Sequence, residues 1–361
     1  VNDGDRNLDA ENGGLSPSAK NNQYKSIGDE TMNVLFIGGT GIISSACSPL
    51  AIERGMNLYL LNRGQSARPA PEGAHLLHAN IRDQAEAKAA LGSLTFDAVV
   101  NWIAFTPDQI EADIELFRGR TQQYIFISSA SAYQTPPVSL PVTESTPLAN
   151  PFWQYSRNKI ACEERLMRAY REEGFPITIV RPSHTYDCTL LPMQGRFTMV
   201  DRMRKGQKVI VHGDGASLWT MTHHRDFAKG FIGLLGNSRT IGEAFHITAD
   251  EVLTWNQIYE LTAYAAGATP QLVHVPSNVI NAYDPAWGAG LLGDKTHSMI
   301  FDNTKIKRIV PDFAATIPFS QGIREVIAWY DADPTRQVID HALNQTMDRI
   351  LAAWESIWPK S

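Results

Sequence analysis

The chain has 361 residues, enough to bury the core of one large domain, or of a large domain and a small one. Its net charge is −6, from 38 acidic and 32 basic side chains, which argues against a broad nucleic-acid footprint. No run of about eighteen apolar residues occurs, so no membrane span is expected, and three scattered cysteines (Cys47, Cys162, Cys188) point to a reducing, cytoplasmic setting without a metal site.

Residues 1–31 hold six acids and three bases and few apolar groups. They read as a disordered leader, native or left over from expression, with Met32 as a candidate start. Met32–Ile37 is an apolar run of strand length. It leads into Gly38-Gly39-Thr40-Gly41-Ile42-Ile43-Ser44 and a helical stretch over Ser45–Arg54. Strand, glycine turn and helix form the setting of a dinucleotide site. Glycines let the backbone approach a pyrophosphate at the helix N-terminus. Two registers fit, Gly38-x-x-Gly41-x-x-Ser44 and Gly39-x-Gly41-x-x-Ser44, and Gly38, Thr40, Gly41, Ile42 and Ile43 are the candidate contacts.

The second strand, Asn57–Leu61, ends in Asn62-Arg63-Gly64. A carboxylate there would hold the ribose hydroxyls of NAD, whereas a nearby arginine accommodates the 2′-phosphate of NADP. No carboxylate is present, so Arg63 favours NADP over NAD; a solvated or adenine-stacking Arg63 is the alternative. Next come a strand at His75–Ala79, a helix at Asp83–Leu91, a strand at Phe96–Trp102 and a helix at Pro107–Phe117. A strand at Gln123–Ser129, a long helix at Phe152–Glu173 and a strand at Ile177–Arg181 follow. The alternation predicts an α/β fold, a doubly wound parallel sheet of Rossmann type. Gly38, Asn62, Asn80 with its neighbour Ile81, Asn101 and Ser129 fall at strand ends, where such sheets bind ligands. Asn101 could equally serve packing.

The expected organisation is a dinucleotide-binding core over 32–182 and a smaller, mainly substrate-covering lobe over 183–330 with some return to the core. From Asp331 to 361 a terminal helix places Val338, Ile339, Leu343, Met347, Ile350 and Leu351 at helical spacing.

Tyr155 and Lys159 lie on the long helix just over one turn apart, and so share a face. A phenol with a pKa near ~10 is a poor base at neutral pH, and a nearby ammonium would lower that value. The pair alone is a common chance pattern; the preceding glycine turn gives it weight.

The glycine turn, Asn80-Ile81-Arg82-Asp83, the run Phe126 to Tyr133, Tyr155/Lys159, Val180-Arg181-Pro182 and Gly213-Asp214-Gly215 leading to Asp226 stand in order. Together they resemble the extended short-chain dehydrogenase/reductase superfamily, in its NAD-dependent epimerase/dehydratase branch, from Val34 to about Phe313. The resemblance implies Ser129 as the hydroxyl that binds the reacting oxygen, with Ser128 or Ser131 as substitutes. It implies Tyr155 as general acid/base, and Lys159 as the group that binds the nicotinamide ribose and lowers the tyrosine pKa. Ser131, His184 and Trp219 are candidate substrate contacts. A small, carbohydrate-like substrate and a homodimer are the implied partners, with no nucleic acid.

The departures matter too. Nucleotide-sugar enzymes of this branch carry two diphosphate-binding arginines, and the matching positions here are Trp219 and Leu291. Neither side chain replaces a guanidinium, although Lys295 or Arg225 could compensate. The surroundings of Asn62-Arg63-Gly64, Trp219 and Phe301 to Lys305 look like the atypical branch that includes chloroplast stem-loop RNA-binding proteins. The leading expectation is an NAD(P)-dependent oxidoreductase or epimerase acting on a hydroxyl or keto carbon. A nucleotide-sugar epimerase or dehydratase and a non-catalytic nucleotide- or RNA-binding protein are the alternatives. His223-His224 is not expected to share a metal, because strand neighbours face opposite ways. Asp226 is expected to cap a helix.

Overall fold

The computed structural model describes residues 31–357, so the expected leader lies, through residue 30, outside the described residues. Strand β1 (Asn33–Ile37) runs through the glycine turn into helix α1 (Ser44–Glu53). Then come β2 (Asn57–Asn62), β3 (His75–His78), α2 (Gln84–Leu91), β4 (Ala98–Asn101), α3 (Pro107–Phe117) and β5 (Tyr124–Ile127). Helix α4 (Gln154–Glu173) and strand β6 (Ile177–Pro182) complete the expected alternation. Local chemistry sets the ends. Asp83 accepts from the first-turn amides of α2, Pro107 opens α3, and Gly174 closes α4 in the left-handed conformation.

The remaining elements follow a less regular order. They are β7 (His184–Tyr186), α5 (Phe197–Arg204), β8 (Lys208–His212), β9 (Leu218–Trp219), β10 (Met221–His223), α6 (His224–Ile232), β11 (Ala244–Ile247), β12 (Leu253–Thr254) and α7 (Trp255–Ala265). Strand β13 (Gln271–Val275) and helices α8 (Ser277–Tyr283), α9 (Pro285–Gly290), α10 (Thr304–Ile309), α11 (Phe319–Asp331) and α12 (His341–Ser356) follow.

Seven parallel strands form the main sheet, in the order β11-β6-β5-β4-β1-β2-β3. The alternation of side chains divides β1 between two cores. Val34 and Phe36 join Phe227 and Phe231, while Leu35 and Ile37 join Phe117 and Leu166. A third core gathers Tyr186, Trp219, Trp255 and Phe319 beneath the later segments. Chain order reverses beside β1, whose neighbours are β2 and β4, and this opens the crevice at its C-terminal end. Ile37 stands level with Leu61 and Asn101, so the glycine turn, Asn62 and Asn101 share one edge.

The seventh strand, β11, returns from the later segments to the edge of the main sheet. Two expectations need correction. The terminal helix starts at His341, capped by Asp340; Asp331 closes α11 instead, and Val338 is 70% exposed. Asp226 lies inside α6, where His223 holds the cap. Its buried carboxylate accepts from Lys229 at 2.6 Å and from the Ile317 amide at 2.8 Å.

Candidate active site

Gly38 and Gly39 turn the chain at φ of +103° and +88°, angles that penalise any side chain. A Cβ on Gly39 would lie 2.6 Å from Leu60 Cδ2, so the turn packs down on β2. Ser44 Oγ accepts from the Gly41 amide at 2.8 Å, and Ser48 Oγ donates to the Gly39 carbonyl at 2.7 Å. The Ile42 and Ile43 amides at the start of α1 have no hydrogen-bond acceptor among the described residues. Free amides at a helix start suit a phosphate, so the residues present fit a dinucleotide. Thr40 lies in the same turn.

Arg63 is exposed, and its side chain makes no hydrogen bond or ion pair with another described residue. Arg68, which sequence reasoning passed over, reaches back to donate to the Gly41 carbonyl at 2.8 Å and to Asp187 at 2.5 Å. It bridges the glycine turn and the chain after β7. Asn62 and Asn80 each accept from a backbone amide two residues on, and Ile81 is buried beside them. Asn101 is fully buried. It donates to Asp113 at 2.5 Å and accepts from the Ile103 amide at 2.8 Å, so it holds the loop after β4 in shape. Burial lifts the Asp113 carboxyl to about 6, against the hydrogen bonds from Tyr124 and Asn101.

Lys159 is 2% exposed and donates to the carbonyls of Ala104 at 2.7 Å and Ile127 at 2.8 Å. Its ammonium lies 4.6 Å from the Phe105 ring centroid and 5.8 Å from that of Tyr155. One of its three donors remains unused. Burial lowers its pKa to about 8. The Tyr155 phenol is raised by burial, lowered by the Ser129 hydroxyl and raised again by Asp294. Burial is the largest of these influences, so the phenol stands above its ordinary value.

The serines sort by orientation. Ser128 is buried and donates to Glu163 at 2.5 Å, which removes it from the cleft. Ser129 and Ser131 pair at 2.9 Å, and Ser156 on α4 donates to Ser131 at 2.8 Å. Asn150 donates to the carbonyls of Ser131 at 2.9 Å and Gly293 at 2.6 Å. It also accepts from the Trp153 amide just before α4, at 3.1 Å. Arg181 lies 2.6 Å from Glu163, which stands two turns along α4 from Ser156 on the same face and also accepts from Ser128.

Tyr155, Ser129, Ser131, His184 and Trp219 line one cavity of about 220 Å³ with Asp294 and Lys295. A second, of about 730 Å³, shares Trp153, His184 and Lys295 with it. His184 is neutral, its pKa lowered by burial and then by Lys295 to about 3, and its Nε2 has no partner. No group of three or more His, Cys, Asp or Glu side chains suited to a metal occurs among the described residues. His224 Nδ1 lies 3.0 Å from Ser45 Oγ, while His223 Nε2, 3.4 Å from Glu325, makes no hydrogen bond among the described residues. His224 opens α6, so the two rings lie 4.8 Å apart instead of on opposite faces of a strand.

The model of the NAD dependent epimerase/dehydratase family matches residues 34–248. The chain belongs to that family. It is similar to the chloroplast stem-loop binding protein of 41 kDa b of Arabidopsis thaliana, with 26% identity over 67% of this chain and 65% of that protein. It is also similar to a dTDP-glucose 4,6-dehydratase of Actinoplanes sp., with 27% identity over 53% of this chain and 54% of the relative. The matches thus span less than two thirds of either relative. The fold is shared with a UDP-glucose 4-epimerase of Bifidobacterium longum solved with NAD+ and UDP. That comparison has a TM-score of 0.67 and 17% identity, covering 84% of this chain and 99% of the other. No helix among the described residues is long and apolar enough to cross a membrane.

The two departures from the family pattern both reach the cleft. Trp219 lines the smaller cavity and Leu291 the larger, each nearly buried. Lys295 is 2.8 Å from Asp294 and sits over Trp153 and Trp219, so its charge is already matched. Arg225 is held by Glu325 at 2.6 Å. Both candidate replacements for the family's arginines are thus paired within the protein. The supporting residues Arg68, Asn150 and Ser156 had no sequence signal beyond their positions, since their partners lie on other elements.

Proposed function

We propose that the chain is an NAD(P)-dependent oxidoreductase or epimerase acting on a hydroxyl or keto carbon of a sugar-like substrate. The carrying observation is one small cavity that presents the Tyr155 phenol and the Ser129 and Ser131 hydroxyls, with Lys159 buried behind. The bound nicotinamide would accept or supply hydride. Ser129 orients the substrate oxygen, and Tyr155 moves the proton at that oxygen. Lys159 offers its free donor to the cofactor ribose and carries positive charge below a pH of about 8. The Ile42 and Ile43 amides would hold the pyrophosphate, and Arg63 favours NADP. The same reading gives the cofactor to residues 32–182 and substrate cover mainly to 183–330, in the cytoplasm, and allows a homodimer.

Two other readings stand behind this one. The named activities of several relatives support a nucleotide-sugar epimerase or dehydratase; Trp219 and Leu291 weigh against it. The Arabidopsis relative supports an RNA-binding role, and the acidic charge weighs against that.

The test is Tyr155→Phe. Turnover should fall by roughly 10²–10⁴-fold, as for loss of a general acid/base, with cofactor affinity by fluorescence titration unchanged. Full activity in that variant would overturn the mechanism.

A further inference from the structure

The larger cavity reads as a distinct recognition site once its charges are counted. Its walls are mixed: the indoles of Trp153, Trp255 and Trp287 and the side chain of Leu291 stand beside Gln194 and Arg196. The charged side chains around the two joined cavities are Arg196, Lys295, Asp294 and Asp340. Lys295 is matched by Asp294, and Asp340 accepts from the Leu343 amide as the cap of α12. His184 and His212 are both neutral, because burial lowers their pKa values to about 3 and about 4. One cation is left. Arg196 is exposed at the cavity, and its side chain makes no hydrogen bond or ion pair with a described residue.

Its backbone is unusual as well. Arg196 has φ of +48°, the one non-glycine residue with positive φ among those described. It sits where α5 begins, behind Gly195, at which a Cβ would lie 2.5 Å from Leu343 Cδ2. A bulky residue held in a sparsely populated conformation at a cavity is a pointer to function.

A nucleoside diphosphate would bring two or more negative charges to walls with one free cation. Burying unmatched charge is costly. An aromatic body on three indoles, with one acid at Arg196, meets no such cost.

We propose that the larger cavity takes an apolar, aryl-type tail bearing a single acidic group, attached to the ring that reaches Tyr155, and that Arg196 binds that acid. This names the substrate class for the reading above and rests on it.

Binding separates the two claims. Three probes are titrated into the full chain carrying Tyr155→Phe with cofactor present: 4-carboxyphenyl β-D-glucoside, phenyl β-D-glucoside and UDP-glucose. Indole fluorescence and calorimetry report affinity. The carboxyphenyl glycoside should bind tightest, by about tenfold over the phenyl glycoside, as expected for one charge-assisted contact. Adding Arg196→Gln, an exposed change, should remove that advantage and leave the phenyl glycoside unaffected. UDP-glucose binding as tightly as either glycoside overturns the proposal, as does no binding by any probe or an Arg196→Gln variant that keeps the preference. Selective glycoside binding without wild-type turnover supports the cavity assignment and counts against the reaction. Wild-type turnover of UDP-glucose with tight binding does the reverse.

Discussion

On the sheet side of the cleft the polar groups around Tyr155 are bound within the protein. Lys159 donates to two carbonyls, Ser131 is held by Ser129, Ser156 and Asn150, and Arg181 pairs with Glu163. On the side built by residues after β6, His184, Trp219 and Trp255 each leave a ring nitrogen without a partner among the described residues. The first side is fixed before any ligand arrives, which suits groups that must meet developing charge at a set distance. The second offers shape and apolar surface, which suits selection of a substrate.

Breaking the first side should have the largest effect on stability. Glu163 and Arg181 are 2% and 6% exposed at their side chains, so removing one strands the other in the core. Glu163→Ala should cost about 3–5 kcal/mol in urea unfolding. A loss under about 1 kcal/mol, the size of an ordinary substitution, would mean that α4 is held by apolar packing instead.

Gly39→Ala tests the glycine turn. The left-handed angle and the contact with Leu60 together should cost about 2–4 kcal/mol, with cofactor affinity lost in parallel. Gly267→Ala is the control, since Gly267 has φ of +70° with nothing within 4 Å. It should show only the conformational part, about 1–2 kcal/mol. Equal losses at both sites would remove the argument from close approach to β2.

Asp113 gives the same side a pH signature. Its carboxyl moves from 3.8 to about 6 on burial. Between those values the folded protein holds a proton that the unfolded chain has released. The contribution of this group to stability therefore falls as pH rises through that window, and the penalty is complete above about 6. Wild type should gain on the order of 2–3 kcal/mol relative to Asp113→Asn between pH 7 and pH 4. A pH-independent difference between the two proteins would show that Tyr124 and Asn101 offset the burial.

The contrast between the sides also explains what the sequence disclosed. Strands β1, β2, β4 and β5 are buried apolar runs punctuated by glycine, proline and Asp83, so local pattern and fold agree. Tyr155 and Lys159 stand out because their spacing is local, whereas Ser129 is picked out only by the family resemblance. The other side has no such period. Its larger cavity joins Leu191, Trp255, Trp287 and Val338, which lie far apart in the chain. The terminal helix was placed early because Val338 and Ile339 continue the apolar spacing of α12, yet Asp340 caps the helix after them. Arg68 was invisible for a related reason: Asp187, its partner, is 119 residues away.

Arg63 and Arg68 sharpen the comparison at the smallest scale, because one is free and the other is bound. Arg63 is exposed without a partner, so Arg63→Ala should change stability by less than about 0.5 kcal/mol. Under the proposed preference it should weaken NADPH about tenfold or more, the worth of a charge-assisted contact to a phosphate, and leave NADH unchanged. Arg68 is committed to the Gly41 carbonyl and Asp187. Its replacement by Ala should loosen the turn that both cofactors use and weaken NADH and NADPH alike. Fluorescence titration of both cofactors against both variants decides the matter. If Arg68→Ala alone abolishes the NADPH preference, the 2′-phosphate belongs to Arg68, and the Asp187 pair must open to receive it.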